Sequence, residues 1–328
     1  MKLKSTWGAA ALSLMAGGAL AADDVTLQLK WVTQAQFAGY YVALENGYYS
    51  DEDLNVTIKP GGPDIAPTQV LAGGGADVTV DWMPSALSAR EKGLAMVNIA
   101  QPFKSSGMML TCRKDAGVAT TDDFAGKTLG VWFFGNEFPF LSWMSQLGLG
   151  TDGGDDGVEV LKQGFNVDPI LNGQAACVST MTYNEYWQVI DAGLTPDDLV
   201  TFKYEDQGVA TLEDGLYVLE ENLSDEAFQD KMVRFVRASM KGWKWAEENA
   251  EDAAMIVLDY DETGAQTEAH QVRMMGEIAK LTAGSNGALV EADFQRTVDS
   301  LLAGGSDPVI TKQPEGAWTH AITDKALN

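Results

Sequence analysis

LQLKWVTQAQFAGYYVALENGYYSDED, residues 27–53, carries two hydrophobic periods in succession. Val25, Leu27 and Leu29 alternate with Thr26, Gln28 and Lys30, the period-2 pattern of a strand that turns one side to a core. Phe37, Tyr40, Tyr41 and Leu44 then recur at three- and four-residue spacing up to Gly47, a helix face closed by a C′ glycine. Between them lies Trp-Val-Thr-Gln-Ala-Gln, a loop with one indole and two amides. A strand that empties into such a loop at a helix start is where open α/β sheets bind ligands. Trp31 and Gln36 are therefore candidate ligand contacts.

The same logic recurs along the chain. Residues 77–80 form a strand that delivers Asp81 and Trp82 to a helix with Pro84 in its first turn and Gly93 at its end. Residues 128–131 run into a loop holding Asn136, Glu137 and Phe138. Residues 175–178 release Tyr183, Asn184, Glu185 and Trp187 at the next helix start. Strands are also predicted at 54–58, 97–100, 108–112 and 158–161. From residue 224 the pattern is helical, with Phe228, Met232, Phe235, Val236, Ser239 and Trp243 on one face and Ser224 as N-cap. Helices over 252–258, 268–281 and 291–302 read as scaffold, and Met274 and Met275 as core filler. Gly73-Gly74-Gly75 lacks the Lys-Ser/Thr pair of a phosphate loop and reads as a helix stop.

A chain of 328 residues exceeds the usual span of one core. Alternating strands and helices imply an α/β architecture of two lobes, each a mainly parallel sheet flanked by helices, with a ligand cleft between. Segments 108–112 and 211–219 are the expected crossings. Lobe one then comprises 23–112 and 210–328, and lobe two 113–209. The N-terminus reads as a signal peptide over 1–22: Lys2 and Lys4, a short apolar run at 9–16, and a small-x-small site at 19–21. The run is too short to span a bilayer, so an exported protein without membrane insertion is expected. Formal charge is −25, or −27 without Lys2 and Lys4. Such acidity excludes nucleic acid as a partner. Cys112 and Cys177 could pair in an oxidising compartment, but two buried free thiols are slightly favoured. With His270 and His320 they make no zinc pattern, and no metal or cofactor is expected.

The cleft loops offer aromatics, amides and the carboxylates Glu137 and Glu185, without Lys, Arg or His. That set suits a flat, uncharged or weakly basic heterocycle that stacks on indole and donates to a carboxylate. An aromatic at a strand–helix junction serves lobe packing about as often as it touches a ligand. Catalysis has little support. A serine nucleophile needs a base, and neither histidine lies in these loops. Two loop carboxylates among 47 acids are weak grounds for a glycosidase-like pair.

Residues 29–58, together with AGGGADVTVDWMPSALSAREKG (72–93), GKTLGVWFFGNEF (126–138) and ENAEDAA (248–254), resemble the thiamine-pyrimidine-precursor group of periplasmic substrate-binding proteins. The resemblance covers essentially the whole mature chain. It implies the two-lobed periplasmic binding protein fold (type II), a small heterocyclic ligand, and delivery to an ABC permease and its ATPase by a monomer. Relatives of the group are similar to binders of sulfonates, nitrate and flavins. One branch makes hydroxymethylpyrimidine phosphate from pyridoxal phosphate and a histidine. It is similar through 81–85, but has a lysine where Asp81 stands and the consumed histidine where Ser85 stands. Its cysteine-rich run is missing at 210–213. These departures point to binding rather than synthesis.

Overall fold

The computed structural model describes residues 22–303 and 308–327. Apart from Ala22, the predicted signal peptide lies outside them. Ten strands follow in order: β1 (Asp23–Gln28), β2 (Leu54–Lys59), β3 (Val78–Asp81), β4 (Met96–Ala100), β5 (Met108–Arg113), β6 (Thr128–Val131), β7 (Glu159–Lys162), β8 (Cys177–Met181), β9 (Leu199–Lys203) and β10 (Gly215–Leu219). They form two five-stranded sheets, β2-β1-β3-β10-β4 and β7-β6-β8-β5-β9. The helices are α1 (Ala38–Glu45), α2 (Pro67–Ala72), α3 (Met83–Glu91), α4 (Glu137–Gln146), α5 (Asp168–Leu171), α6 (Glu185–Asp191), α7 (Glu226–Glu248), α8 (Ala250–Asp259), α9 (Glu268–Thr282), α10 (Glu291–Leu302) and α11 (Thr323–Ala326).

Each sheet has one strand that runs against the others. β1 is parallel to β2 and β3, while β10 is antiparallel to both β3 and β4. β6 is parallel to β7 and β8, while β5 is antiparallel to β8 and β9. The two reversed strands are those entered directly from the other sheet, through residues 101–107 and 204–214. A chain that enters a sheet at the carboxyl ends of its strands must run opposite to them. Both crossings and the strand–loop–helix junctions after β1, β3, β6 and β8 therefore lie at the same end of each sheet, facing the cleft.

This topology corrects the expected crossings. Residues 108–112 lie in β5 of the second sheet, and 215–219 in β10 of the first. β5 is buried on both faces and shows no alternation, so its sequence could not be told from a buried connector. Neither β9, an edge strand with weak alternation, nor β10 was anticipated as a strand. The cysteine expectation is also corrected. Cys112 and Cys177 face each other in the β5–β8 register, with Cα atoms 3.9 Å apart, and form a disulfide. Such a bridge contributes about 2–4 kcal/mol.

The long C-terminal helices return to the first sheet. α7 packs along α1, where Gly39 lies against the Trp243 indole so closely that a side chain there would overlap the ring. Tyr49 stacks on Phe235 at 5.3 Å between centroids. The helical face expected from 228 to 243 is buried, except that Phe228 is partly exposed. Its N-cap is Asp225, whose carboxylate accepts from Ala227 N at 2.9 Å, one residue beyond the expected Ser224. Met274 and Met275 are fully buried.

Candidate functional site

β1 ends at Gln28, so its alternation does not reach Lys30. The chain instead turns inward, and Lys30 is 5% exposed. Its ammonium lies 3.4 Å from Asp81 Oδ1 and 4.7 Å from the centre of the Trp82 ring. Asp81 is fully buried and also accepts from Trp82 N at 2.8 Å and Ser85 Oγ at 2.9 Å. Burial raises its pKa, against the pull of Lys30. A second buried carboxylate, Asp214, stands at the start of β10. It accepts from Gln36 Nε2 at 2.7 Å and Trp82 Nε1 at 2.8 Å. Burial lifts it to about 6, opposed by Gln36, Lys30 and Trp82. Gln34 donates in turn to Gln36 Oε1 at 2.7 Å. Lobe one thus presents Lys30, Trp31, Gln34, Gln36 and Trp82 as one connected wall.

The opposing wall comes from the ends of β6 and β8: Trp132, Asn136, Met181, Tyr183 and Glu185. Together the walls line one small cavity. Trp132 donates to Gly164 O at 2.9 Å, and Asn136 to Phe133 O at 2.7 Å. Glu185 opens α6 and accepts from Met181 N at 3.0 Å and Asn184 Nδ2 at 2.7 Å. It is 2% exposed, and burial lifts its pKa to about 7. Burial also raises the Tyr183 phenol, helped by the charges of Glu213, Asp214 and Glu185.

The lobes are closed on each other. Trp31 meets Trp132 edge-on at 6.1 Å. Asn184 donates to Gln34 Oε1 at 3.3 Å and accepts from Gln188 Nε2 at 3.1 Å. Its Oδ1 also lies 2.8 Å from His270 Nε2, which fixes the proton on that ring nitrogen. Arg273 of α9 pairs with Asp191 of α6 at 2.9 Å. Gly135 adopts φ +100°, and a side chain there would collide with Ser85 across the cleft.

The sequence from 34 to 253 matches the family model described as NMT1/THI5 like. The chain belongs to the NMT1/THI5-like family. Its similarity to the formylaminopyrimidine-binding protein of Halalkalibacterium halodurans is 28% identity over 241 residues, covering 73% of this chain and 71% of that one. A shorter match, 30% over 107 residues, links it to a 4-amino-5-hydroxymethyl-2-methylpyrimidine phosphate synthase of Legionella pneumophila, covering 32% of this chain and 34% of the synthase. In three dimensions it is similar to the periplasmic sulfonate-binding protein of a sulfonate ABC transporter from Methylobacillus flagellatus. The TM-score is 0.62 at 13% identity, over 94% of each chain. The fold is that of the periplasmic binding proteins. No described helix is long and apolar enough to cross a membrane.

In this NMT1/THI5-like chain, six of the eleven residues singled out from sequence meet at the cavity: Trp31, Gln36, Trp82, Asn136, Tyr183 and Glu185. Asp81 and Asn184 stand behind it, bracing one wall and joining the two. The other three do not line it. Glu137 bonds Gly135 N at 2.7 Å and faces a separate groove. Phe138 packs on the lobe-one cluster around Met83 and Leu87. Trp187 donates to Thr182 O at 2.9 Å and lies under the Arg273 guanidinium, so it packs between lobes.

Sequence reasoning missed Lys30, Gln34, Trp132 and Met181 in the lining, and Asp214 and His270 behind it. The expectation that no cation enters the cleft is corrected by Lys30. Alternation had assigned that residue to the outer face of a strand that in fact ends two residues earlier. Asp214 left a readable signal: two acids, Glu213 and Asp214, run straight into the apolar stretch 215–219. Among the described residues, no three His, Cys, Asp or Glu side chains come together to hold a metal ion.

Proposed function

We propose that the chain is the exported, monomeric solute-binding component of an ABC importer that closes its lobes over a single-ring aminopyrimidine of the thiamine-precursor type. The observation that carries this is the cavity itself: three indoles and a phenol around one carboxylate, Glu185, whose pKa of about 7 suits proton sharing with a weakly basic ring. The carboxylates around Lys30 disfavour a sulfonate. Similarity to a formylaminopyrimidine-binding protein supports the same ligand class, and the fold supports capture by closure and release to a permease in the periplasm.

An enzymatic reading has less support. Glu137 and Glu185 face different cavities and cannot flank one substrate bond. Asp81 and Ser85 bond to each other at 2.9 Å, where the synthases similar to this segment have lysine and histidine. Titration calorimetry with formylaminopyrimidine and hydroxymethylpyrimidine, beside riboflavin and an alkylsulfonate, tests the proposal. Heat with a pyrimidine alone is expected. Heat with the flavin or sulfonate alone would overturn it.

A further inference from the structure

Lys30 sits on the boundary of two cavities. Besides the inner one, it lines a small outer chamber, which shares Trp31 and Asn136 with the first. The remaining outer walls are apolar, with Pro63, Ile65 and Pro67 from lobe one and Phe133 and Phe134 from lobe two. An ammonium carries three donors and needs acceptors for them once buried. Lys30 is 5% exposed and has a single hydrogen-bond acceptor, Asp81 Oδ1, at the long distance of 3.4 Å. Among the described residues, its remaining N–H groups have no acceptor. They stand at the junction of the inner chamber and a smaller one with mostly apolar walls.

We infer that the outer chamber receives a short arm on the ligand ring, and that Lys30 reads an uncharged oxygen on that arm, such as a carbonyl or hydroxyl. The inference rests on the aminopyrimidine reading above and specifies the substituent that the ring must carry. An anionic arm fits badly. Asp81, Asp214 and Glu137 all lie within electrostatic reach of Lys30, and Glu185 stands in the inner chamber, so acids outnumber the one cation. Lys30 is here a specificity-determining residue: the ring binds among the indoles, and the ammonium selects what the ring carries.

The test is calorimetry on the full-length mature protein with four ligands: 4-amino-2-methylpyrimidine without an arm, its 5-hydroxymethyl and 5-formylaminomethyl derivatives, and the phosphate ester of the hydroxymethyl compound. The formylaminomethyl compound is expected to bind about tenfold or more tightly than the armless ring, since one charged hydrogen bond is at stake. The phosphate ester is expected to bind more weakly than its parent alcohol. Lys30→Met should shrink the armed-to-armless ratio towards one. Because that change leaves Asp81 buried without its cation, Ile65→Trp provides a second test. It fills the outer chamber from a position 38% exposed, where folding tolerates it, and should shrink the same ratio. Equal affinity of wild type for armed and armless rings overturns the inference while sparing the proposed ligand class, and so does tighter binding of the phosphate. Absence of binding by every pyrimidine overturns both.

Discussion

The two walls of the cavity are built differently. In lobe one, side chains hold side chains: Asp214 carries both Gln36 and Trp82, and Asp81 carries Lys30 and Ser85. In lobe two, the main chain holds residues one by one, through Gly164 O for Trp132, Phe133 O for Asn136 and Met181 N for Glu185, and only Glu185 adds a side-chain partner, Asn184 Nδ2. A wall braced by shared buried carboxylates fails at several points when one brace goes. A wall pinned to the backbone loses its residues one at a time. Lobe one's wall also rests on two buried carboxylates, whereas in lobe two the Trp132 and Asn136 contacts do not titrate and only Glu185 does.

The largest effect should follow from Asp214→Ala. It strands Gln36 Nε2 and Trp82 Nε1 in a dry interior, where each unpaired donor costs about 1–3 kcal/mol. A stability loss of about 2–5 kcal/mol by urea unfolding is expected, with a fall in ligand affinity of about 100-fold. If affinity stays within threefold of wild type, the lobe-one wall does not need its shared brace and the contrast between lobes fails.

Glu185→Gln should cost about 10- to 100-fold in affinity, because one charge-assisted contact goes while its neighbours stay pinned. Its pH profile is the sharper readout. With a weakly basic ligand, the complex holds one proton between ring and carboxyl. Above about pH 7 the free carboxyl has lost that proton, so binding must take one up, and affinity falls as pH rises. The slope approaches tenfold per unit and should be absent in the glutamine variant. An equal slope in both proteins would locate the proton elsewhere.

Glu213 tests the charge side of the comparison at the crossings between lobes. Its Oε1 accepts from Ser106 Oγ at 2.6 Å and Gly107 N at 2.7 Å, tying the second crossing to the first, while Oε2 is buried without a partner. Burial, then the neighbouring Asp214 charge, lifts it to about 8. Between the ordinary glutamate range and about 8, the folded protein keeps a proton that the unfolded chain releases. Stability therefore falls as pH rises through that window and levels off above it. Glu213→Gln keeps the oxygen acceptor and cannot ionise. It should gain on the order of 2 kcal/mol at pH 8 and little at pH 5, read by urea unfolding at both values. A gain of equal size at both pH values would show that packing, not charge, limits this position.

Period and punctuation made the two-lobed architecture legible, because each strand that meets the cleft ends in a polar-aromatic loop and a helix start. Trp31, Trp82 and Glu185 were found that way. Strand direction was not legible. β5 and β10 are buried along most of their length and mostly apolar, and only the pairing partners reveal that they run backwards and where the crossings fall. Lys30 was misplaced by extending an alternation past the end of its strand. Asp214 and His270 act from elements far away in sequence, 178 residues from Gln36 and 86 from Asn184, and no local pattern encodes such meetings. The disulfide failed for the same reason: register between two strands brings Cys112 and Cys177 together, and register is a tertiary property.

Trp187 should give the smallest effect, and its value lies in being small. It belongs to the same polar-aromatic run as Tyr183 and Glu185, so sequence alone gives it equal standing. The structure turns it outward on α6, one turn from the cavity, where its indole donates to Thr182 O and its face carries Arg273 of the other lobe. Trp187→Phe keeps an aromatic face for the guanidinium and removes one hydrogen bond. Ligand affinity within about twofold of wild type is expected, with a stability loss of about 1 kcal/mol. A tenfold loss of affinity by calorimetry, with the folded baseline intact, would mean that packing between the lobes is itself part of the ligand's binding energy. The separate pinning of the lobe-two wall would then be an incomplete account of it.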